Sequence, residues 1–182
     1  MKFVLIILGV LVLWFIVAYN GFIRLKNRAK EAWSDIEVQL KRRYDLIPNL
    51  VESVKGYAKH ETGAFQAVTE ARARALGAQT VQEKAKAENQ VSSALKSIFA
   101  VAEAYPQLRA VESFVQLQNE LADTENKIQA ARRFYNSNVL ALNTKIESFP
   151  SNLIAGIFKF KKAEFFDIDD KGPEGQPVKV SF

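Results

Sequence analysis

A chain with one histidine and no cysteine has few ways to do chemistry. His60 sits in Lys59-His60-Glu61. On a helix its side chain and that of adjacent Glu61 point about 100° apart, so the two form no i,i+4 ligand pair. No second histidine completes an H-E-x-x-H zinc site, and His60 reads as a solvated helix residue. The lack of cysteine removes thiolate nucleophiles, cysteine zinc sites, disulfides and bacterial lipoprotein acylation together. Neither a glycine-rich phosphate loop nor a G-x-S-x-G elbow occurs. The paired carboxylates Asp169-Asp170 lie in a Gly/Pro-rich tail that holds no reacting geometry. The reading is of a protein that is not an enzyme and uses no cofactor or metal.

What remains is mostly cationic. Lys41-Arg42-Arg43 falls at a helix C-terminus, where cations offset the helix dipole, with contact to a partner or a phosphate as the alternative. Arg132-Arg133 lies with Gln129 and Asn136 beside a helix seam, where polar groups commonly fix pairing and register. Arg42, Arg43, Arg132 and Arg133 are the candidate partner or phosphate contacts, on condition that their guanidinium groups converge. Arg24, Lys26, Arg28 and Lys30 are the candidate lipid contacts, each attracted to an anionic surface by about 1 kcal/mol. From Arg24 to Tyr44 there are seven basic and three acidic residues, a large part of the net charge of +5. No aromatic-basic platform accompanies them, so nucleic acid is not an expected partner. At the C-terminus Val180 and Phe182 alternate as a strand-adding peptide ligand does, against the plainer reading of a loose tail.

The elements that position these groups begin with an apolar run. Phe3 to Tyr19 carries no charge, and Phe22 and Ile23 extend it to Arg24. A helix over residues 3–23 is about 31 Å long, which matches a hydrocarbon core of about 30 Å. The run exceeds the h-region of a cleaved signal, and a cut after Ala18 puts bulky Ile16 at a small-residue position. It reads as a retained transmembrane anchor. Lys2 stands before it and four basic residues follow closely, so the positive-inside rule places the N-terminus outside and the domain in the cytoplasm.

Beyond the anchor, apolar residues recur at helical spacing almost to Phe149. Ala29, Trp33, Ile36, Leu40 and Tyr44 mark a first helix. Asp45-Leu46-Ile47-Pro48 favours a turn over a continuous or kinked helix, because proline disfavours the α conformation before it. A second helix then runs from Ile47 to near Gly77. Thr80 and Glu83 form a capping box for a third helix that Tyr105-Pro106 ends. The fourth runs from about Leu108 to Glu147, with a 3.5-residue seam through Phe114, Leu117, Leu121, Thr124, Ile128, Ala131 and Tyr135. The seam then slips to Val139, Leu142, Ile146 and Phe149. The expected fold is all-α, an N-terminal transmembrane helix continuing into an elongated antiparallel four-helix bundle. Its parts are an anchor (1–23), the bundle (24–150), a short packing segment (151–168) and a flexible tail (169–182).

These strings also occur together elsewhere. Residues 27–51, from Asn27-Arg28-Ala29 through Trp33-Ser34-Asp35-Ile36 to Ile47-Pro48-Asn49-Leu50-Val51, are followed by Gly56-Tyr57-Ala58-Lys59-His60-Glu61. With residues 124–136 (TENKIQAARRFYN), 149–154 (FPSNLI) and the closing PVKVSF, the chain strongly resembles the LemA family of bacterial membrane proteins over roughly residues 19–168. One departure is Leu142-Asn143, where family members often carry Tyr-Asn. The resemblance implies a one-helix anchor, a short external N-terminus, a cytoplasmic four-helix bundle and no established enzymatic activity. It also brings associations with a membrane-bound heat-shock zinc protease, as a candidate partner, and with magnetosome membrane formation. The resulting expectation is a non-enzymatic scaffold or adaptor at the membrane lipid, self-associating as a homo-oligomer. A small-molecule or phosphate sensor and an anionic-lipid-binding membrane organiser are the alternatives.

Overall fold

The computed structural model describes residues 1–166, the side chain of Arg109 apart. Among them the chain forms α1 (Lys2–Lys55), α2 (Thr62–Gly77), α3 (Val81–Glu103), α4 (Pro106–Arg109), α5 (Glu112–Glu147) and α6 (Ser151–Ile157), with no strand. The protein is all-α. It divides into two compact units. One comprises Met1–Val38 and Ile128–Phe165, the other Gln39–Lys127 and Phe166. α1 and α5 each contribute to both.

α1 is one helix of 54 residues. Phe3 to Val17 is apolar and exposed on every side, as suits a helix solvated by lipid. Burial begins at Ala18 and follows a helical stripe through Phe22, Ala29, Ile36, Leu40, Ile47, Leu50 and Val54. The turn expected at residues 45–48 does not form, and Pro48 lies inside α1. Proline removes the N–H that the carbonyl of Tyr44 needs one turn back. Arg72 of α2 supplies a donor instead, its Nε reaching the Tyr44 carbonyl oxygen at 2.8 Å. A tertiary hydrogen bond thus fills the gap that proline leaves.

The chain breaks later than expected, at residues 56–61, so the stretch read as one helix from Ile47 to Gly77 is divided between α1 and α2. Glycine at 56 weakens a helix by about 1 kcal/mol relative to alanine. The amides of Tyr57 and Ala58 both return to the Val54 carbonyl, and the turn buries Ala58. The α3 cap forms as expected. The Glu83 amide donates to Thr80 Oγ1 and the Thr80 amide to Glu83 Oε2, each at 3.1 Å. Two backbone donors at Gln79 and Thr80 hold the Glu83 carboxyl below its usual range.

Along α5 the expected seam is largely inward. Phe114, Leu121, Thr124, Ile128, Tyr135, Val139 and Leu142 are buried. Phe149 departs from it and is 81% exposed, because α5 ends at Glu147 before the stripe returns to that face. α4 is a single turn inserted at Tyr105-Pro106, so α5 starts at Glu112 rather than near Leu108. After α6 the chain runs back along α5. Asn143 fixes it there, with its Nδ2 donating to the Ala163 carbonyl and its Oδ1 accepting from the Ala163 amide, both at 2.9 Å.

Candidate functional site

The unit formed by Gln39–Lys127 holds a charged core. Arg43 stands on the buried stripe of α1 between Leu40 and Ile47 and is 1% exposed. Glu88 stands on the stripe of α3, three residues before Val91, and is fully buried. Arg43 Nη2 donates to Glu88 Oε2, and the Tyr44 hydroxyl donates to Glu88 Oε1. Arg43 Nη1 reaches Glu125 Oε2 on α5 at 2.5 Å and Ser92 Oγ at 3.2 Å. The remaining buried donor, Arg43 Nε, has no hydrogen-bond partner. Burial lowers the Arg43 pKa, with the nearby Glu125 charge opposing. A guanidinium ionises so far above neutrality that it stays a cation. The Tyr44 phenol is pushed up to about 12 by burial, against the opposing charge of Arg43.

Beside Arg43 lies a cavity of about 300 Å³ between α3 and α5. Leu95, Phe99, Leu121 and Ala122 wall it, and Arg43 and Glu125 touch its polar side. With a permanent cation, two carboxylates and a phenol that keeps its proton near neutrality, this cluster is poorly suited to proton transfer. It can hold segments of α1, α3 and α5 in one register, since any slip strands a buried charge.

The arginines singled out in the sequence meet different fates. Arg43 is committed to Glu88 and Glu125. Its neighbour Arg42 is exposed and approaches Asp123 Oδ2 at 3.5 Å, an oxygen that also takes Lys127 Nζ at 2.7 Å. The Lys127 hydrogen bond, chiefly, holds the Asp123 carboxyl below its usual range. Arg132 is half-buried and Arg133 exposed, both in the other unit's part of α5. His60 is exposed in the turn between α1 and α2 instead of on a helix. Val180 and Phe182 lie outside the described residues. Sequence reasoning missed Glu88. Its signal was a carboxylate at a stripe position, in step with Val91, Leu95, Ile98 and Ala102.

In the unit of Met1–Val38 and Ile128–Phe165, the apolar stretch of α1 passes into the candidate lipid contacts. Arg24, Lys26, Arg28 and Lys30 are all exposed. Ala18 and Phe22 pack with Leu142 of α5 and with Ile154 and Ala155 of α6. The Lys145 ammonium sits 4.9 Å from the centre of the Phe22 ring and passes over Gly21, where it occupies the space a Cβ would need. Burial, then the charge of Arg24, lowers the Lys145 pKa. Trp33 and Tyr135 pack with their rings tilted by 57° at 5.3 Å between centroids, and Tyr135 Oη donates to the Glu164 carbonyl at 2.9 Å.

The fold and these groups define an all-helical protein in which, among the described residues, one helix, at the N-terminus, is long and apolar enough to cross a membrane. Residues 32–182 match the LemA family, and the chain belongs to that family. It is 26% identical to Protein LemA of Metamycoplasma hominis, an alignment covering 92% of this chain and 80% of that one. It is 25% identical to the magnetosome protein MamQ 1 of Paramagnetospirillum magneticum and 23% identical to MamQ of Magnetospirillum gryphiswaldense, over 83% of this chain in each case. The chain spans 65% of the length of these magnetosome relatives.

Proposed function

We propose that this protein is a non-enzymatic scaffold or adaptor of the LemA type, anchored once in the membrane with its C-terminal domain in the cytoplasm. The supporting observation is α1. The helix that exposes lipid-compatible side chains over Phe3–Val17 continues without a loop to Arg43, which the helical domain buries against Glu88. A tether needs no such continuity, whereas a platform that presents helices at a membrane does. Arg24, Lys26, Arg28 and Lys30 then meet lipid headgroups. Its partners are further copies of itself or membrane proteins such as the membrane-bound heat-shock protease that the family resemblance implies, and the magnetosome naming of its relatives fits a membrane-organising role.

Cross-linking in native membranes, followed by purification in mild detergent and native mass spectrometry, tests this. A homo-oligomer or a stoichiometric membrane partner is the expected result. A strict monomer with nothing co-purifying overturns it. A second reading, an anion sensor, draws on the cavity beside Arg43. Against it, two carboxylates already match the Arg43 charge. Inorganic phosphate is therefore expected to leave the unfolding temperature unchanged. A saturable rise that is abolished by Lys96→Gln, a change on the cavity lining, favours the sensor.

A further inference from the structure

α6 is apolar on the side that packing leaves open. It buries Ile154 and Ala155 against Ala18 and Phe22 of α1 and Leu142 of α5. Leu153 remains 57% exposed and Ile157 68% exposed, and Phe149 and Phe158 on either side of the helix are exposed as well. Within the helix Leu153 and Ile157 stand about one turn apart, and Phe149 lies just before its N-cap, Pro150. An apolar face left wet on so short a helix is unfavourable in water.

The position of that face relative to the α1 span is well defined. The Phe158 ring packs on Phe15 at 5.8 Å and on Tyr19 at 4.8 Å between centroids, and Phe160 stacks on Phe22 at 4.7 Å. Tyr19 and Phe15 precede Ile23, the last apolar residue of the span, by one and two helical turns. Phe158 therefore stands about 6–12 Å inside the end of the span. Amphipathic helices that lie in a membrane surface bury their apolar face to about 5–10 Å, a similar depth. The exposed face of α6 thus continues the exposed apolar surface of α1.

The end of α6 carries charge. Lys159 takes a left-handed conformation, φ 54°, the place at a helix terminus where glycine is least strained. Its amide returns to the Gly156 carbonyl at 3.3 Å and that of Phe160 to the Ala155 carbonyl at 2.9 Å, the hydrogen-bond pair of a Schellman cap. This cap turns Phe160 inward between Lys159 and Lys161, which are exposed. Lys162 next to them is paired with Glu147.

We propose that Phe149–Lys161 is a second membrane-contacting element. It lays Phe149, Leu153, Ile157 and Phe158 into the headgroup–acyl boundary at the Ile23 end of the span and sets Lys159 and Lys161 against anionic lipid phosphates. The inference rests on α1 being the span. Three observations choose a bilayer as the occupant: continuity with the lipid-facing surface of α1, a matching depth, and cations at the headgroup edge.

The native chain has no cysteine, so single cysteines label cleanly. A bimane probe is attached to full-length Val12→Cys, Leu153→Cys, Ile157→Cys and, as an aqueous reference, Ser97→Cys, in vesicles of phosphatidylcholine with or without phosphatidylglycerol. Acyl-brominated lipid is expected to quench the probes at 12, 153 and 157 but not at 97. Iodide is expected to do the reverse. A probe at 12 in lipid with those at 153 and 157 in water overturns the proposal and leaves the span standing. All four in water overturn both. Probes at 153 and 157 shielded from both quenchers indicate a protein cover and also overturn the proposal. Adding phosphatidylglycerol should deepen quenching at 157, and Lys159→Gln with Lys161→Gln should abolish that gain. Persistence of the gain in the double variant overturns the lysine assignment.

Discussion

Burying Glu88 strips a carboxylate of water, and the Arg43 guanidinium and the Tyr44 hydroxyl are the groups that offset that loss. Glu88→Gln leaves Arg43 buried with part of its charge unmatched and is expected to destabilise by about 3–5 kcal/mol. Arg43→Met combined with Glu88→Leu removes both charges and should cost clearly less than the sum of the two single changes. Urea unfolding of the full chain in mild detergent, read as a double-mutant cycle, measures the coupling. An additive cycle refutes the idea of a mutually dependent pair. Tyr44 sets an alkaline limit to stability. Its folded pKa of about 12 lies above the ordinary value of 10.0, so the folded state keeps a proton that the unfolded chain releases. That contribution is complete below pH 10 and is lost as the pH rises toward 12. Tyr44→Phe should flatten the fall in unfolding temperature over that interval. Some slope remains, because burial also raises the pKa of Tyr135.

At the scale of elements, Pro48 shows where reading along the chain reaches its limit. Apolar periodicity marked the stripes of α1, α3 and α5 correctly, and the Thr80–Glu83 box marked the start of α3, because those signals are local. The same local logic put a turn at Pro48, because the compensating donor belongs to Arg72, 28 residues beyond the carbonyl it serves. Arg43 and Glu88 were half legible. Each is a charge on an apolar stripe, but which charge meets which depends on how separate helices pack. α6 was legible only as an apolar run, since Ala18 and Phe22, on which its buried side packs, lie far off in the chain. The Arg72 account gives a prediction. Arg72→Met removes the side-chain donor to the Tyr44 carbonyl and is expected to cost about 1–3 kcal/mol. Pro48→Ala restores a backbone donor, so the same Arg72→Met change should cost appreciably less in that background. Equal costs in both backgrounds, measured by urea unfolding, would falsify this account of why α1 continues.

For the whole molecule, the decisive asymmetry is the charge on the two sides of the apolar stretch. Lys2 precedes it, while Arg24, Lys26, Arg28 and Lys30 follow within two turns of Ile23. Basic residues near the ends of a span resist translocation, which argues for a domain retained in the cytoplasm. The membrane contact proposed for α6 agrees with this, since the cytoplasmic leaflet carries the negative surface potential that Lys159 and Lys161 would meet. Fusing alkaline phosphatase, which needs export to fold, after Phe182, with a fluorescent protein at the same site as the complement, tests this orientation. Phosphatase is expected to be inactive and the fluorescent fusion bright. Changing Arg24, Lys26, Arg28 and Lys30 to glutamine leaves Lys2 as the stronger signal and should shift part of the population to the opposite orientation. An active phosphatase on the unaltered chain would place the helices outside and break the link between the basic stretch, the cytoplasmic leaflet and the lysines after α6.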